Sequence, residues 1–479
     1  MKILLSSICL ESGTDIQLAL YYLKAYLLQD QKLSPRSSPV RIEVFNENLS
    51  VSAIVSRIRI FSPELIGFSC YLWNIEKTLR LCRALKKLRQ GTTIVLGGPE
   101  ASPRAVELLA KETAVDVIVR GEGEAAFSEL VKHMRAGCPE LSSIAGISFR
   151  KGKKVIHTPD RPQLSGLNAI PSPYLTGLID LGAKNIVDVP LETTRGCAFR
   201  CHYCYYHKNF PLVRYFPLDR VEQELKSILG HKPYELYLMD ATFNSNPARA
   251  KKILRMVIRH NKGSKLHVEL KAELVDTEMA KLLYKANAFN IEIGLQSINP
   301  STLRAINRGF NKEKFAAGIR RLNEYKLYYE IQLIDALPFQ TYKDLLRSLD
   351  WLYGLRPPTL VILKLAMLPG TTLRAQAARH GISYGRVAPY NARKSAVMSA
   401  ADLARVERLR FAMERLYNSG LHREVLSELC SIAGMRISEV LEEWMSWERK
   451  FKRHGRAYAE LLSRKMPDFL EYARRRHGN

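Results

Sequence analysis

The chain alternates short apolar segments with amphipathic helical patterns, and it does so in two separate series. In the first series, β-branched or apolar runs predict strands at residues 2–8, 41–45, 65–70, 92–96 and 115–119. Helical periodicity lies between them and is clearest at residues 16–28, 75–88 and 104–111. Strands joined by helices of this length form βαβ units, so residues 1–140 are expected to fold as a Rossmann-like parallel sheet.

The second series follows a short predicted hairpin and a linker, residues 141–183, which contains Pro171 and Pro173. Between residues 184 and 385 the pattern predicts strands at 186–192, 235–239, 265–271, 290–295, 328–334 and 360–365. Six βα repeats favour a partial (βα)6 barrel, whose chemistry is expected at the carboxyl ends of the strands. Residues 386–479 carry helical spacing, which predicts a helical C-terminal region in an otherwise α/β chain.

Composition restricts the class and the compartment. A chain of 479 residues with 46% hydrophobic content is typical of a globular protein of roughly two to four domains. The sequence lacks the run of about 18 apolar residues that predicts a transmembrane helix, and the scattered cysteines fit a reducing compartment, so a cytoplasmic location is expected. The net charge of +26, dense near the C-terminus, predicts attraction to anions, so an anionic partner or an acidic substrate is a hypothesis.

Three of the eight cysteines lie close together in the segment Gly196-Cys197-Ala198-Phe199-Arg200-Cys201-His202-Tyr203-Cys204. This segment follows the first strand of the second series. Three thiolates on one loop can hold three irons of a four-iron cluster and leave the fourth iron open to a ligand. A structural zinc site needs four ligands, and His202 or His207 could supply the fourth, so zinc is the alternative.

The C-x3-C-x2-C spacing, with an aromatic residue before the third cysteine, resembles the motif of radical S-adenosylmethionine (SAM) enzymes. The resemblance implies a [4Fe–4S] cluster on Cys197, Cys201 and Cys204, with SAM bound at the open iron. One electron, from a donor such as flavodoxin or ferredoxin, would cleave SAM to a 5′-deoxyadenosyl radical that abstracts a hydrogen from a small-molecule or peptide substrate. The protein itself would position the reactants and exclude water.

Further segments resemble the parts of that family that contact SAM. Residues 239–244 follow the second barrel strand, where the family has a Gly-Gly-Glu segment; the glycines are absent here, but Asp240 could accept from the SAM ammonium group. Residues 294–297, followed by Arg308, resemble the segment near the SAM ribose and carboxylate. The resemblance thus implies SAM binding by Tyr203, Asp240, Gln296, Ser297 and Arg308. Turn or cap roles are the structural alternatives for Asp240 and for residues 294–297.

The first series resembles the cobalamin (B12)-binding domain that precedes many radical SAM domains. Glycine-rich turns follow its later strands, where a backbone without side chains can approach a bulky ligand. The residues that carry this resemblance are Ser69, Gly97, Gly98, Pro99, Glu100, Gly121, Glu122, Gly123 and Glu124. The D-x-H-x-x-G motif that supplies a histidine to cobalt is absent, so Tyr71, Leu72 and Trp73 are candidates for the lower face of cobalt. A core role for these residues, or a domain that keeps the fold without a corrinoid, is the alternative.

Together the two resemblances imply a cobalamin-dependent radical SAM methyltransferase, in which methylcobalamin donates a methyl group to an unactivated substrate carbon. Radical SAM oxidation, cyclisation or rearrangement without methyl transfer is one alternative. A non-catalytic iron–sulphur or zinc-binding module is the other. No catalytic residue is predicted, although His267, Lys271 and Glu273 on the third barrel strand are candidates to face the cavity.

Overall fold

The computed structural model describes residues 1–10, 16–34, 39–138, 140–183, 186–432 and 434–448, together with Phe469, Glu471 and Arg475. Across this part of the chain, no helix combines the length and apolar character needed to cross a bilayer. The basic segment that suggested an anionic partner lies almost entirely outside the described residues. Its one described member, Arg475, is exposed and forms an ion pair with Glu471.

The N-terminal domain is built on a seven-stranded sheet in the order β2-β1-β3-β4-β5-β6-β7. Its strands are β1 (Ile3–Cys9), β2 (Val40–Asn46), β3 (Leu65–Ser69), β4 (Thr93–Gly97), β5 (Val117–Val119), β6 (Ile147–Lys151) and β7 (Lys154–His157). Its helices are α1 (Leu18–Asp30), α2 (Val51–Phe61), α3 (Ile75–Leu88), α4 (Ala105–Lys111) and α5 (Gly123–Arg135). The first five strands are parallel, as expected, and their order changes direction between β1 and β3. Ligands of such sheets bind at the carboxyl ends of strands beside this switch point.

The predicted hairpin, formed by β6 and β7, extends this sheet. β6 pairs antiparallel with β5, and its residues Ile147 and Phe149 are buried in the core of the N-terminal domain. The alternation of these apolar residues with polar ones is what a strand buried on one face requires. The N-terminal domain therefore continues past residue 140, where the sequence pattern places its end.

The second sheet has six parallel strands in the order β15-β14-β13-β12-β11-β8, which confirms the predicted partial barrel. The strands of this region are β8 (Asp188–Leu191), β9 (Thr194–Arg195), β10 (Arg214–Tyr215), β11 (Glu235–Leu238), β12 (Lys265–Leu270), β13 (Ala288–Gln296), β14 (Glu330–Ile334) and β15 (Thr359–Leu363). The helices are α6 (Tyr206–Asn209), α7 (Leu218–Gly230), α8 (Pro247–His260), α9 (Thr277–Lys285), α10 (Pro300–Ala305), α11 (Lys312–Glu324), α12 (Tyr342–Tyr353) and α13 (Thr372–Ala375). Leu266, Val268 and Leu270 of β12 lie in the apolar core, so the residues between them face the barrel interior.

The C-terminal region is mainly helical, as predicted, and packs on the barrel. It consists of β16 (Ser383–Tyr384), β17 (Ala392–Lys394), α14 (Ala400–Met413), a π-helical turn (Glu414–Asn418), α15 (Arg423–Ile432) and α16 (Ile437–Glu448). Leu409 of α14 and Trp444 of α16 are buried in the same hydrophobic core as the barrel strands. Arg410 donates to the carbonyl of Ile362 at 2.6 Å and forms an ion pair with Asp335. The described C-terminal helices therefore share one core with the barrel.

The N-terminal domain also packs directly against the barrel. Ile16, Leu18 and Tyr22, at the start of α1, belong to the hydrophobic core of the barrel and not to that of the N-terminal sheet. On the other side, Tyr390 donates a hydrogen bond to Glu100, which also pairs with Arg104 at 2.9 Å. These contacts place the carboxyl ends of the N-terminal strands opposite the mouth of the barrel.

Candidate functional site

The three clustered cysteines lie on a loop that a short β-ribbon closes. β9 and β10 pair antiparallel, with Arg195 opposite Arg214, and residues 196–213 between them are called the cysteine loop below. Gly196 has a φ of +102°, and a Cβ placed there would lie 2.2 Å from the carbonyl oxygen of Leu212. Only glycine therefore allows the two ends of the cysteine loop to meet at this point.

The environment of the thiols suits iron–sulphur ligation. Cys201 is buried, while Cys197 and Cys204 are partly buried. The backbone N–H of Tyr206 donates to the Sγ of Cys204 at 3.4 Å, and the Nη1 of Arg308 lies 3.6 Å from the Sγ of Cys201. Burial raises the pKa of Cys204 to about 11, so without iron its thiol keeps its proton and metal binding must displace it. N–H and guanidinium donors beside sulphur atoms are the partners that stabilise the negative charge of a bound cluster.

Among the described residues, no three His, Cys, Asp or Glu side chains are grouped as the ligands of a single metal ion. A four-iron cluster takes one thiolate for each ligated iron, so its three thiols need not converge on one point. His202, one candidate for a fourth zinc ligand, has its Nδ1 2.9 Å from the carbonyl oxygen of Ala305, and this contact involves only one of its two ring nitrogens. The thiols and their donors therefore fit the predicted cluster.

Several residues predicted to bind SAM gather beside Cys201. Arg308 also lies 3.3 Å from the hydroxyl of Tyr203, and it donates to the carbonyl of Gly294. Gln296 is buried, and its Oε1 has no hydrogen-bond partner within the described structure. A Cβ on Gly294 would lie 2.5 Å from the Nε2 of Gln296, so this glycine makes room for the amide. A buried acceptor without a partner is costly, and a donor on a bound ligand would satisfy it.

The other two predicted SAM ligands form bonds within the protein. Asp240 is buried, and its Oδ1 accepts from the backbone N–H groups of Thr193 at 2.7 Å and Thr194 at 2.9 Å. Burial raises the pKa of Asp240 to about 6, although these hydrogen bonds oppose the rise. The hydroxyl of Ser297 accepts from the backbone N–H of Asn299, just before α10. Asp240 thus ties the end of β11 to the strand that leads into the cysteine loop, and SAM binding by Asp240 and Ser297 stays a prediction.

A cavity of about 680 Å³ lies between the N-terminal domain and the barrel. This volume is within the usual range for ligand sites, about 300–1,000 Å³. From the N-terminal domain it is lined by predicted cobalamin-binding residues, namely Ser69, Gly97, Gly98, Pro99, Gly121, Glu122, Gly123 and Glu124. From the barrel domain it is lined by residues that include Cys204, Tyr205, Tyr206, Tyr237 and Met239. Glu100 is not part of this lining, and its carboxylate is engaged by Arg104 and Tyr390.

The glycines at the end of β4 shape one wall of this cavity. Gly98 has a φ of +96°, and a Cβ on it would lie 2.6 Å from the carbonyl oxygen of Cys70. A side chain is therefore excluded at Gly98 by both its backbone conformation and its neighbour. Gly97 has no such restriction, since its Cβ would meet the carbonyl oxygen of Val119 at 3.6 Å. The wall is thus made of backbone, which suits a large flat ligand such as a corrinoid.

The structure separates the three candidates for the lower face of cobalt. Tyr71 and Trp73 both line the cavity, and their rings stack with centroids 4.6 Å apart and planes 4° from parallel. Leu72 packs instead against the hydrophobic core of the barrel. The sequence pattern alone could not distinguish these residues, because their orientation depends on the turn after β3.

Sequence reasoning missed the two arginines of the β9–β10 ribbon. Arg195 and Arg214 both reach Glu122 of the N-terminal domain, and all three side chains are buried. Glu122 and Glu124, predicted from the resemblance to bind cobalamin, therefore have arginine partners while they line the cavity. The sequence offered a sign of this contact, because a basic residue stands at each end of the cysteine loop.

A polar network fills part of the barrel interior. His267 lies between two carboxylates, with its Nδ1 3.0 Å from Glu235 and its Nε2 2.9 Å from Glu292. Burial lowers the pKa of His267, but the bonds to these carboxylates outweigh burial and raise it to about 9. Tyr237 stacks on the imidazole and donates to Glu269 at 3.2 Å, and burial raises the pKa of Glu269 to about 7. His267 thus faces the barrel interior, but it is not among the residues that line the 680 Å³ cavity.

Lys271 and Glu273 form an ion pair at the end of β12, with Nζ and Oε1 2.7 Å apart. The ammonium group of Lys271 also lies 5.2 Å from the centroid of the Phe199 ring, which belongs to the cysteine loop. The pair therefore stands at the carboxyl end of the barrel, where this fold places its chemistry.

Comparison with known proteins identifies both domains. Residues 16–131 match the family described as the B12 binding domain, and residues 191–352 match the Radical SAM superfamily. The 2-(S-pantetheinyl)-carbapenam-3-carboxylate methyltransferase of Streptantibioticus cattleyicolor is 28% identical over 298 residues, which are 59% of this chain and 44% of that protein. The cobalamin-dependent radical SAM methyltransferase TokK of Streptomyces tokunonensis is 28% identical over 234 residues, which are 47% of this chain and 34% of that protein. The matched region thus spans less than half the length of either relative.

A solved structure supports the same architecture. The radical SAM methyltransferase TsrM of Kitasatospora setae, in a structure with cobalamin and a [4Fe–4S] cluster bound, has a TM-score of 0.64 and 17% identity. The match covers 80% of this chain and 77% of TsrM, and at this identity it shows the fold. The chain therefore carries a B12-binding domain followed by a radical SAM domain.

Proposed function

We propose that this protein is a cobalamin-dependent radical SAM methyltransferase that adds a methyl group to an unactivated carbon of its substrate. The observation that carries the proposal is the shared cavity. The glycine turns of the B12-binding domain and Cys204 of the cysteine loop line one chamber of about 680 Å³. A corrinoid and a cluster-bound SAM held at this chamber would supply a methyl donor and a hydrogen-abstracting radical at one place.

The cysteine loop would bind the cluster and present it to SAM. Cys197, Cys201 and Cys204 would each ligate one iron, and Arg308 would offset negative charge at Cys201. The guanidinium of Arg308 also suits a carboxylate, which it can bind with two parallel hydrogen bonds. The buried Oε1 of Gln296 would accept from a hydroxyl or ammonium group of SAM.

The B12-binding domain would hold the corrinoid mainly through backbone and aromatic surfaces. The turn at Gly97 and Gly98 offers a flat wall without side chains, and the stacked rings of Tyr71 and Trp73 offer an apolar surface. Neither aromatic ring supplies the imidazole ligand of the D-x-H-x-x-G proteins. We therefore expect the lower face of cobalt to lack a histidine from this chain.

The partners and the compartment follow from this chemistry as part of the same proposal. The substrate would be a small molecule or a peptide that enters between the two domains. Reduction of the cluster would require an electron donor such as flavodoxin or ferredoxin. A reducing compartment, the cytoplasm, would keep the unligated thiols available for iron.

Anaerobic reconstitution with iron, sulphide and hydroxocobalamin tests the proposal. The protein is freed of unbound cofactor, and its iron content, its corrinoid absorbance and the electron paramagnetic resonance (EPR) spectrum of the reduced cluster are recorded with and without SAM. The SAM products are then measured after reduction. We expect retained corrinoid, a spectrum that SAM changes, and formation of both 5′-deoxyadenosine and S-adenosylhomocysteine.

Two other outcomes would each indicate one of the alternatives. Release of 5′-deoxyadenosine without S-adenosylhomocysteine would indicate radical SAM oxidation, cyclisation or rearrangement instead of methyl transfer. Bound metal with a spectrum indifferent to SAM, and no SAM products, would indicate a non-catalytic iron–sulphur or zinc module.

A further inference from the structure

Buried charges connect the cysteine loop to the B12-binding domain. Arg195, the residue before Gly196, donates from Nη1 to Glu122 at 3.1 Å and to Glu124 at 2.9 Å. Its Nη2 lies 3.0 Å from Glu192, at the end of the first barrel strand. Arg214, at the other end of the cysteine loop, donates to Glu122 at 3.0 Å. The side chains of Arg195, Arg214, Glu122 and Glu124 are each less than a tenth exposed.

The two arginines share one carboxylate of the other domain, that of Glu122. Arg195 and Arg214 face each other across the β9–β10 ribbon, where like charges repel. Glu122 lies between them and accepts from both, which converts a repulsive pair into an attractive one. The rings of Tyr22 and Phe210 also flank Arg195, and the centroid of each ring lies 5.6 Å from its guanidinium carbon. Tyr22 belongs to the N-terminal domain and Phe210 to the cysteine loop, so this contact also spans the two.

The same carboxylates stand at the proposed corrinoid site. Residues 121–124 line the cavity, and Gly123 begins α5. Cys197 follows Arg195 by two residues, so a displacement of Arg195 relative to Glu122 is passed directly to the first cluster ligand. Removal of one partner from such a buried set leaves an uncompensated charge, which is costly enough to move the others.

From this geometry we infer that Arg195 and Arg214 are positioning residues, which set the placement of the cluster relative to the corrinoid by clamping the cysteine loop to Glu122 and Glu124. The inference rests on the proposed function for the identity of the two groups. The clamp itself consists only of contacts between residues of this chain. It acts on the separation of two sites and not on the chemistry at either.

The test uses Arg214→Gln, because Arg214 does not line the cavity and cannot contact a corrinoid there. Glu122→Gln is the second variant, and it removes the negative charge that both arginines share. Because Glu122 lines the cavity, this variant is compared by hydrogen exchange alone. The matched control is Glu224→Gln, which alters a buried carboxylate that pairs with Arg220 at 3.0 Å within the barrel domain. Hydrogen exchange of residues 196–213 is measured by mass spectrometry before cofactors are added. In reconstituted protein, pulsed EPR measures the magnetic coupling between the reduced cluster and cob(II)alamin.

We expect exchange in residues 196–213 to rise about tenfold or more in both variants, as for loss of a charged hydrogen bond. In Arg214→Gln we expect the coupling between the two paramagnetic centres to weaken or broaden while iron and corrinoid contents stay as in the wild type. Glu224→Gln should leave both readouts unchanged, even where it lowers the unfolding temperature. Wild-type exchange in both variants, together with wild-type coupling in Arg214→Gln, would overturn the inference and leave the proposed function standing.

Failure of the proposed function gives a different result. If the wild type retained no corrinoid, the coupling could not arise, but the exchange measurement would still show whether the clamp holds the cysteine loop. Unchanged exchange would then overturn the clamp as well. If Arg214→Gln and Glu122→Gln did not fold, Arg214→Lys would decide by the same exchange measurement, since lysine keeps the charge but loses the guanidinium fork.

Discussion

The guanidinium of Arg308 lies 3.6 Å from the Sγ of Cys201, although the two residues are 107 positions apart in the chain. The contact places a permanent positive charge beside one of the thiols assigned to the cluster. The carbonyl of Gly294 and the hydroxyl of Tyr203 hold the guanidinium in place. A residue that follows β13 and α10 therefore shares the site with the cysteine loop, which follows β9.

Replacement of Arg308 should weaken SAM binding. Arg308→Ala removes a charged hydrogen-bond donor worth about 1.5–3 kcal/mol, which corresponds to a loss of affinity of roughly 10- to 100-fold. The dissociation constant for SAM is measured from the change in the EPR spectrum of the reduced cluster. Arg304→Ala is the control, because Arg304 is exposed on α10 and donates to Ser301. Equal SAM affinity in the two variants would contradict the assignment of Arg308.

Cys201 and Cys138 should differ sharply in their importance for iron binding. Cys201→Ala removes a proposed iron ligand, so reconstituted protein should lose most of its iron and of its sulphur-to-iron absorbance. Cys138→Ala changes an exposed cysteine outside the cysteine loop and should leave both unchanged. Iron and sulphide analysis after reconstitution checks the pair. Full iron content in Cys201→Ala would refute its role as a ligand.

The neighbouring glycines at the end of β4 should tolerate a methyl group unequally. Gly98→Ala forces a left-handed residue against the carbonyl of Cys70 and should cost about 2 kcal/mol or more in the free energy of unfolding. Gly97→Ala meets only an ordinary contact at 3.6 Å and should cost less than about 1 kcal/mol. Thermal unfolding of the cofactor-free variants compares them. A larger loss in Gly97→Ala would show that the turn is not restricted as described.

The stability contributed by His267 should depend on pH. Its pKa is raised from 6.5 to about 9 in the folded protein, so the folded state binds the proton more tightly than the unfolded state. This stabilisation, at most about 3 kcal/mol, is complete below pH 6.5 and is lost as the pH rises through 9. His267→Gln should therefore be less stable than the wild type at pH 6.5, and the difference should shrink by pH 9.5.

Unfolding temperatures of the cofactor-free proteins at the two pH values measure this difference. His231→Gln provides the control, because His231 is exposed at the end of α7. The difference in stability between His267→Gln and the wild type could instead stay constant with pH. That result would contradict a protonated His267 held by Glu235 and Glu292.

Local patterns in the sequence determined the two βα series, the partial barrel and the position of the cysteine loop. Strand and helix periodicities are properties of neighbouring residues, and the spacing of Cys197, Cys201 and Cys204 alone brings three thiols onto one loop. The glycine turn at Gly97 and Gly98 was predictable for the same reason, since a strand end that needs a left-handed residue selects glycine.

Only the tertiary structure decided which side chains meet when they are far apart in the chain. Arg308 reaches Cys201, Arg195 and Arg214 reach Glu122, and Tyr390 reaches Glu100, all over sequence separations that no periodicity encodes. The β6–β7 hairpin likewise joins the first sheet because Ile147 and Phe149 find a core there. Such contacts depend on how separately formed elements pack, so charge type and chain position alone do not specify them.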